Sequence, residues 1–379
     1  MNIVVVGAGF FGAVIAERIV TEVGLPVTIV EQRGHVGGNC WSELCPDTGI
    51  EIHRYGSHIF HTSNERVWAY IRRFAEFNSY KHRVLTTAGG RVYPMPINRT
   101  TINRFYGLNL AEEDVFSFVS SEAAKEDISV PRNLEEKGIS LVGRKLYDAF
   151  IKGYTIKQWE KNPVELSPSI ITRLPVRNDD NDLYFSDAHE GIPVDGYAEV
   201  FERMLNRPLI SVRLNTDFFS IQHELSQDTL VIYTGPIDRF FNYRYGRLEW
   251  RTIDFEKTIH DVPDVLGVAV MNYADVDIPY TRIHEYKHYH PERLETGNSV
   301  TFKEFSRTTG AGDQPYYPVN TERNRRLYCQ YEQETACFPN VIFGGRLGTY
   351  RYVDMDQTIG MALVCYQEQI LPRLRGQDE

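Results

Sequence analysis

Cysteine is scarce and has no pairing pattern. The five residues, Cys40, Cys45, Cys329, Cys337 and Cys365, are odd in number and form no C-x-x-C pair. That argues against a disulfide framework or a thiolate zinc site and favours a reducing compartment, the cytoplasm. Long hydrophobic runs are also missing. The most apolar opening, Ile3 to Ala16, is broken by glycine, lacks a basic residue before it and is too short to cross a bilayer, so neither a secretory signal nor a membrane span is expected. Positive charge is in deficit, with 41 basic against 51 acidic residues and a net charge of −10. General attraction to nucleic acid is therefore excluded, and an anionic ligand needs a local arginine cluster. No G-x-S-x-G elbow and no P-loop lysine occur, so serine hydrolysis and P-loop nucleotide hydrolysis have no support. Internal repeats and low-complexity stretches are absent.

What remains is an ordinary globular composition, 42% hydrophobic and 24% charged, over 379 residues, a length that suits two or three domains. The 23 tyrosines and 20 phenylalanines suit stacking surfaces around rings, or aromatic cores. The first forty residues are the most informative. Ile3 to Val6 reads as a buried strand, Gly7-Ala8-Gly9-Phe10-Phe11-Gly12 opens a helix, and Val27 to Val30 is a second strand ending on Glu31, 19 residues past Gly12. This is the dinucleotide-binding order. Glycines allow the tight turn and the approach of pyrophosphate, the helix N-terminus takes its charge, and the acid takes a ribose hydroxyl. Gly37-Gly38-Asn39 then supplies a second glycine pair that a nicotinamide enzyme does not need. Flavoproteins of the glutathione-reductase and amine-oxidase type carry such a pair, and that resemblance favours FAD over NAD.

Further along, Asn64 to Phe77 has helical spacing behind a Ser63 or Asn64 cap, and Tyr55 to His58 breaks any regular element, reading as a loop that returns to the cofactor. Val84 to Tyr93 reads as a hairpin around Gly89-Gly90. From Asn98 to about Phe150 the pattern is helical, with Asn109 and Glu112 as a capping box. Pro163, Pro168 and Pro175 forbid one long helix after Lys152, and a mobile lid is the expectation there. Strands are expected at 183–185, 210–213, 230–234, 268–273, 281–290 and 341–346, and a closing helix at 358–371. His284-Glu285-Tyr286-Lys287-His288 matches H-E-x-x-H, a zinc signature that works only on a helix. Its alternation and flanking prolines indicate a strand, with the two histidines about 13 Å apart at ~3.3 Å per residue, so no metal site is expected. Asp179-Asp180-Asn181-Asp182 reads as a polar turn.

Arginine and aromatic residues stand together at 152–159, 248–251, 279–282, 315–320 and 344–356. Arginine offers a rigid fork to phosphate, tyrosine a stacking face with a hydroxyl. In these segments the chain closely resembles bacterial UDP-galactopyranose mutases. The resemblance is carried by the glycine turn, Gly37-Gly38-Asn39, Tyr55 to Thr62, Ile151 to Thr155, Gln158-Trp159, Tyr184 to Asp187, Tyr233 to Asp238, Pro279 to Arg282, Pro315 to Asn320 and Phe343 to Arg346.

It implies an α/β fold, a glutathione-reductase-type FAD-binding Rossmann-like domain with a helical-bundle insert and an antiparallel β-sheet domain. The expected division is 1–78 with about 193–240 and 325–379 for the cofactor, about 98–175 for the bundle with the lid near 160–178, and about 79–97, 176–192 and 241–324 for the sheet. It implies interconversion of UDP-galactopyranose and UDP-galactofuranose, with N5 of reduced FAD attacking the anomeric carbon and displacing UDP. A homodimer is implied, with NAD(P)H or another reductant. By position, Arg282 and Arg251 match diphosphate arginines and Arg173 the lid arginine. Tyr317, Tyr352 and Tyr184 match diphosphate and substrate tyrosines. Thr155, Trp159, Phe185, Asn272 and Asp354 fall in the substrate cleft, as does His82, where some members carry asparagine near the uracil. Gly7, Gly9, Phe11, Gly12, Glu31, Gln32, Asn39, His58, Ile59, Thr234, Arg346, Tyr352 and Met355 match cofactor positions; the catalytic residues that the resemblance implies are Arg282, Arg173 and His58, the last shaping the flavin's surroundings through its loop. The alternative is a flavin amine oxidase or desaturase-like oxidoreductase.

Overall fold

The computed structural model describes residues 2–171, 176–293 and 297–376. The strand Ile3–Val6 is buried along its whole length. Ile3 and Val5 enter one core cluster with the helix Phe10–Glu22, while Val4 and Val6 enter another with Val30, Phe218, Val231 and Tyr233. Period-two alternation produces this division in a strand covered on both faces. Around it the sheet runs Val341–Phe343, Leu230–Tyr233, Ile3–Val6, Val27–Val30, Ile210–Arg213, with every pairing parallel. The chain leaves Ile3–Val6 on one side toward Val27–Val30 and returns on the other as Leu230–Tyr233. That reversal opens a crevice at the strands' carboxyl ends, where Gly7 and Thr234 lie.

The helices Arg99–Tyr106, Glu112–Ala123, Leu134–Val142 and Arg144–Tyr147 lead through a wide turn, Asp148–Lys152, into the helix Gly153–Trp159. They enclose a separate core built on Ile102, Val115, Leu134, Leu146 and Phe150. A second large sheet has seven strands in the order Tyr317–Pro318, Trp250–His260, Ser299–Thr308, Arg282–Glu285, Val270–Tyr273, Val84–Ala88, Arg91–Met95. It is antiparallel except between Val270–Tyr273 and Val84–Ala88, which are parallel. The antiparallel expectation is corrected there: about half of the chain lies between these two strands, so no tight turn dictates their relative direction.

Other expectations also change. The run 281–290 is a strand only over Arg282–Glu285, followed by a 3-10 turn, Tyr286–Tyr289. Tyr286 and Tyr289 are both fully buried; a strand would send residues three apart to opposite faces, whereas a 3-10 turn stacks them on one. Leu183 to Phe185 is not a strand; Leu183 makes an isolated bridge to Arg83. The side chains of Asp179 and Asn181 take the amides of Asn181 and Leu183, closing the polar turn. Asn109 caps nothing at Glu112–Ala123, whose N-cap is Ala111; the acids Glu112, Glu113 and Asp114 meet the helix dipole instead. Asn64 does cap its helix, through Arg66 and Val67, but that helix ends at Ile71. Beyond it Phe77 pairs with Pro193. No helix among the described residues is long and apolar enough to cross a membrane.

Candidate active site

At the crevice, backbone meets backbone. Gly7 has φ +100, and a Cβ there would stand 2.1 Å from Thr234 Oγ1, which donates to the Val6 carbonyl at 2.6 Å. Gly38, at φ +57, would place a Cβ 3.3 Å from the Gly9 Cα, and the Gly37 amide donates to Ala8 O at 2.9 Å. The two glycine stretches read separately from the sequence are therefore one cradle, which side chains would fill. Glu31 is buried, its Oε2 accepting from the Ala8 amide at 2.8 Å and its Oε1 from the Arg33 amide at 2.9 Å. Asn39 Oδ1 accepts from Arg33, whose guanidinium lies 4.4 Å over the Tyr55 ring and leaves Nη1 buried and unpartnered. Gln32 reaches outward to Gln314. Phe11 is buried against Gly344, and Ile59 sits in the core under the 55–62 loop. This cradle fits a dinucleotide. It shows tight backbone for pyrophosphate at a helix N-terminus, and an oriented acid beside a buried guanidinium with capacity to spare.

From the cradle a continuous set of groups runs to the large sheet. Gly345 packs on Thr234. Next to it Arg346 donates to the carbonyls of Tyr316 and Val353, at 3.1 and 2.9 Å, and lies 5.2 Å from the Tyr352 ring. Tyr352 faces Tyr317 with ring centroids 5.5 Å apart. Tyr317 pairs with Arg251 in the ladder, and on neighbouring strands Arg282 stands between Glu304 and Asn272. Tyr154 offers its ring to Arg282 at 6.0 Å. Burial raises the Tyr317 phenol to about 12, while Tyr352 is exposed; both are protonated donors at neutral pH. Asp354 sits at the N-cap of the helix Met355–Cys365, its amide donating to Gln357 Oε1. That helix start places Met355 against the core of the first sheet.

Arg282 Nε is 3.0 Å from Glu304 Oε1, a close ion pair whose angle is not that of a hydrogen bond. Glu304 also accepts from His284 Nε2 at 2.8 Å. His284 Nδ1 in turn lies 2.6 Å from Ser57 Oγ, which accepts from the Tyr289 hydroxyl. This buried relay joins Arg282 to the 55–58 loop, where His58 Nδ1 meets Gly56 O at 2.7 Å. A carbonyl only accepts, so His58 carries its proton on Nδ1. Burial, opposed by that bond, lowers its value to about 4, and the ring is neutral. The relay's central member, Glu304, carried no sequence motif; only the register that sets it opposite Arg282 reveals it.

Phe185 stacks on His61 at 3.7 Å and faces His82 at 5.8 Å. His82 is buried, bonded through Nδ1 to the Tyr80 hydroxyl at 2.9 Å, and burial lowers it to about 3. Tyr184 is exposed, set edge-on to Phe185. Thr155 and Trp159 lie on the helix Gly153–Trp159. A Cβ on Gly153 would stand 2.2 Å from Ala274 O, and Lys157 Nζ donates to Tyr273 O, Asp275 O and Tyr280 O at 2.7, 2.8 and 3.0 Å. Arg251 Nη2 and Asn272 Oδ1 are buried without partners. Unpaired buried polar atoms of this kind call for a polar ligand. Arg173 lies outside the described residues. The H-E-x-x-H residues divide: His284 belongs to the relay, while His288 Nε2 lies 3.4 Å from both Asp264 and Glu285. Glu285 is already held by the Val265 and Leu266 amides and by Ser299.

Comparison with known proteins agrees with this layout. The UDP-galactopyranose mutase family model matches residues 149–352, and an NAD(P)-binding Rossmann-like domain matches residues 5–74. The Probable UDP-galactopyranose mutase of Klebsiella pneumoniae is 43% identical over 378 residues, 100% of this chain and 97% of that one. The dTDP-fucopyranose mutase of Escherichia coli is 39% identical over 370 residues, 97% of each. Among solved structures, a reduced UDP-galactopyranose mutase superposes with a TM-score of 0.74 at 15% identity, covering 99% of this chain and 96% of that one. A putrescine oxidase shares the fold at a TM-score of 0.60, 12% identity, and 98% and 99% coverage. The chain belongs to the UDP-galactopyranose mutase family.

Proposed function

We infer that this chain interconverts UDP-galactopyranose and UDP-galactofuranose with FAD as coenzyme. The observation that carries the reading is the run from the glycine cradle through Arg346, Tyr352 and Tyr317 to the sheet whose strands carry Arg251 and Arg282. It sets a dinucleotide beside a place for a diphosphate. Gly7, Gly9, Gly12 and Gly38 would admit the FAD pyrophosphate, Glu31 a ribose, and Arg346, His58 and Met355 would border the flavin ring. When bound and reduced, the flavin supplies an electron-rich nitrogen able to attack a sugar's anomeric carbon. The chain's own groups do the rest. Arg282 and Arg251 hold the diphosphate and stabilise the charge it gains as the bond to C1 breaks, then keep UDP in place for return. Tyr317, Tyr352 and Tyr184 donate hydroxyls to it. Thr155, Trp159, Phe185, Asn272 and His82 shape the cleft for base and sugar, with Asp354 beside it. Arg173 is assigned by position alone.

A homodimer served by NAD(P)H or another reductant in the cytoplasm completes the reading; free cysteine thiols fit that compartment. An oxidoreductase of the amine-oxidase type shares the fold but has no use for a paired-arginine diphosphate site. The test is chromatography of products from UDP-galactofuranose and dTDP-fucofuranose with reduced and oxidised protein. UDP-galactopyranose formed only by reduced protein, with no reductant consumed per turnover, is the expected result. Stoichiometric reductant consumption would indicate the oxidoreductase, and preference for the thymidine substrate would reassign the sugar nucleotide.

A further inference from the structure

Glu160 follows Trp159 and closes the helix Gly153–Trp159 at φ +47, a left-handed conformation that favours glycine. The side chain at this position is engaged. Its Oε2 accepts from Arg251 Nη1 at 2.8 Å, from the Thr308 amide at 2.9 Å and from Thr308 Oγ1 at 2.9 Å. Arg251 is thereby enclosed. Its side chain is 1% exposed, its Nε meets Ser306 Oγ at 3.2 Å, and its Nη2 is buried with no partner. The Glu160 side chain is 47% exposed, at the edge of the contact. The guanidinium thus has its charge matched by one carboxylate that stands at the surface, while one nitrogen still lacks an acceptor.

We propose that Glu160 is an internal anionic occupant of Arg251, a self-inhibiting contact that the substrate's diphosphate must displace. With Arg251 enclosed, a diphosphate reaches its guanidinium only from the side that Glu160 holds, and there it meets an arginine already neutralised and a like charge. Two anions sharing one guanidinium repel, so the surface-exposed carboxylate yields and the diphosphate takes its place. Glu160 then acts through Arg251 and sets how tightly nucleoside diphosphate is held, and how readily it leaves after turnover. This rests on the reading of Arg251 as a diphosphate ligand.

The experiment measures UDP binding to the oxidised holoenzyme by perturbation of the flavin absorbance, for wild type, Glu160→Gln, Glu160→Gly, Arg251→Lys and the double variant Glu160→Gln/Arg251→Lys. Flavin content serves as the check on folding, and Glu160→Gly also relieves the backbone. The inference expects a Kd for UDP several-fold lower in both Glu160 variants, a higher Kd in Arg251→Lys, and a smaller effect of Glu160→Gln when Arg251 is changed. A Kd unchanged or raised in both Glu160 variants, while Arg251→Lys still weakens binding, would make Glu160 a positioning partner and overturn the proposal. If Arg251→Lys leaves UDP binding intact, the diphosphate reading of Arg251 fails first and the proposal falls with it.

Discussion

Arg282 and Glu304 occupy opposed positions in the antiparallel ladder, with Nε 3.0 Å from Oε1. Burial alone would raise the Glu304 carboxyl, yet Arg282 and the His284 hydrogen bond hold it down at about 2. The carboxylate therefore stays charged and keeps the guanidinium aimed. Arg282→Ala should lower turnover by about a hundredfold or more, as loss of a charge-stabilising donor does, while the protein stays yellow. Because it strands a buried carboxylate, it should also cost roughly 3–5 kcal/mol of stability. Activity assays with thermal melts of the holoprotein check both; full activity would remove Arg282 from the site.

The glycine cradle makes a graded prediction about flavin retention. Gly7→Ala drives a methyl to 2.1 Å from Thr234 Oγ1 at φ +100 and should yield colourless protein. Gly38→Ala, 3.3 Å from the Gly9 Cα, should weaken retention less. Gly24→Ala has φ +73 but nothing within 4 Å, so it should cost only backbone strain, about 1–2 kcal/mol, and keep its colour. The ratio of flavin to protein absorbance measures all three.

His290 lies between Glu51 and Glu292, at 3.1 and 2.9 Å. Burial lowers its value, but the two carboxylates outweigh that and raise it above 6.5. A histidine raised in the folded state contributes stability that is complete below pH 6.5, its ordinary value, and is lost as pH climbs through the raised one. The unfolding midpoint should fall from pH 6.5 upward, and His290→Gln should flatten that part of the profile. An unchanged slope would place the dependence elsewhere.

Lys157 fastens the helix Gly153–Trp159 to the turn before Arg282 through three backbone carbonyls. Lys157→Met removes this donor from all three carbonyls, of which Asp275 O keeps the Ile278 amide, at about 1–3 kcal/mol for a buried group. It should raise KM more than it lowers kcat, since Thr155 and Trp159 shift while the cofactor cradle stays intact. Hydrogen exchange over residues 273–281 should speed up; exchange and KM both matching wild type would count against the fastening.

The amino-acid sequence alone determined the nucleotide fold, because its signals are local: a buried four-residue strand, glycines where the backbone needs positive φ, and an acid at the next strand's end. It also marked the arginine–tyrosine segments, whose composition is unusual wherever they lie. The tertiary structure alone decided how those segments meet. Gly9 touches Gly38 and Tyr317 faces Tyr352 because loops from separate parts of the chain converge, and Glu304 stands opposite Arg282 because two strands pair in one register; neither leaves a trace in a short window. The same cause defeated the strand expected through His288: two tyrosines three residues apart share one core, and burial overrode the alternation. Glu160 sits in plain sight after Trp159, but its pull on Arg251, 91 residues away, exists only once the chain is folded.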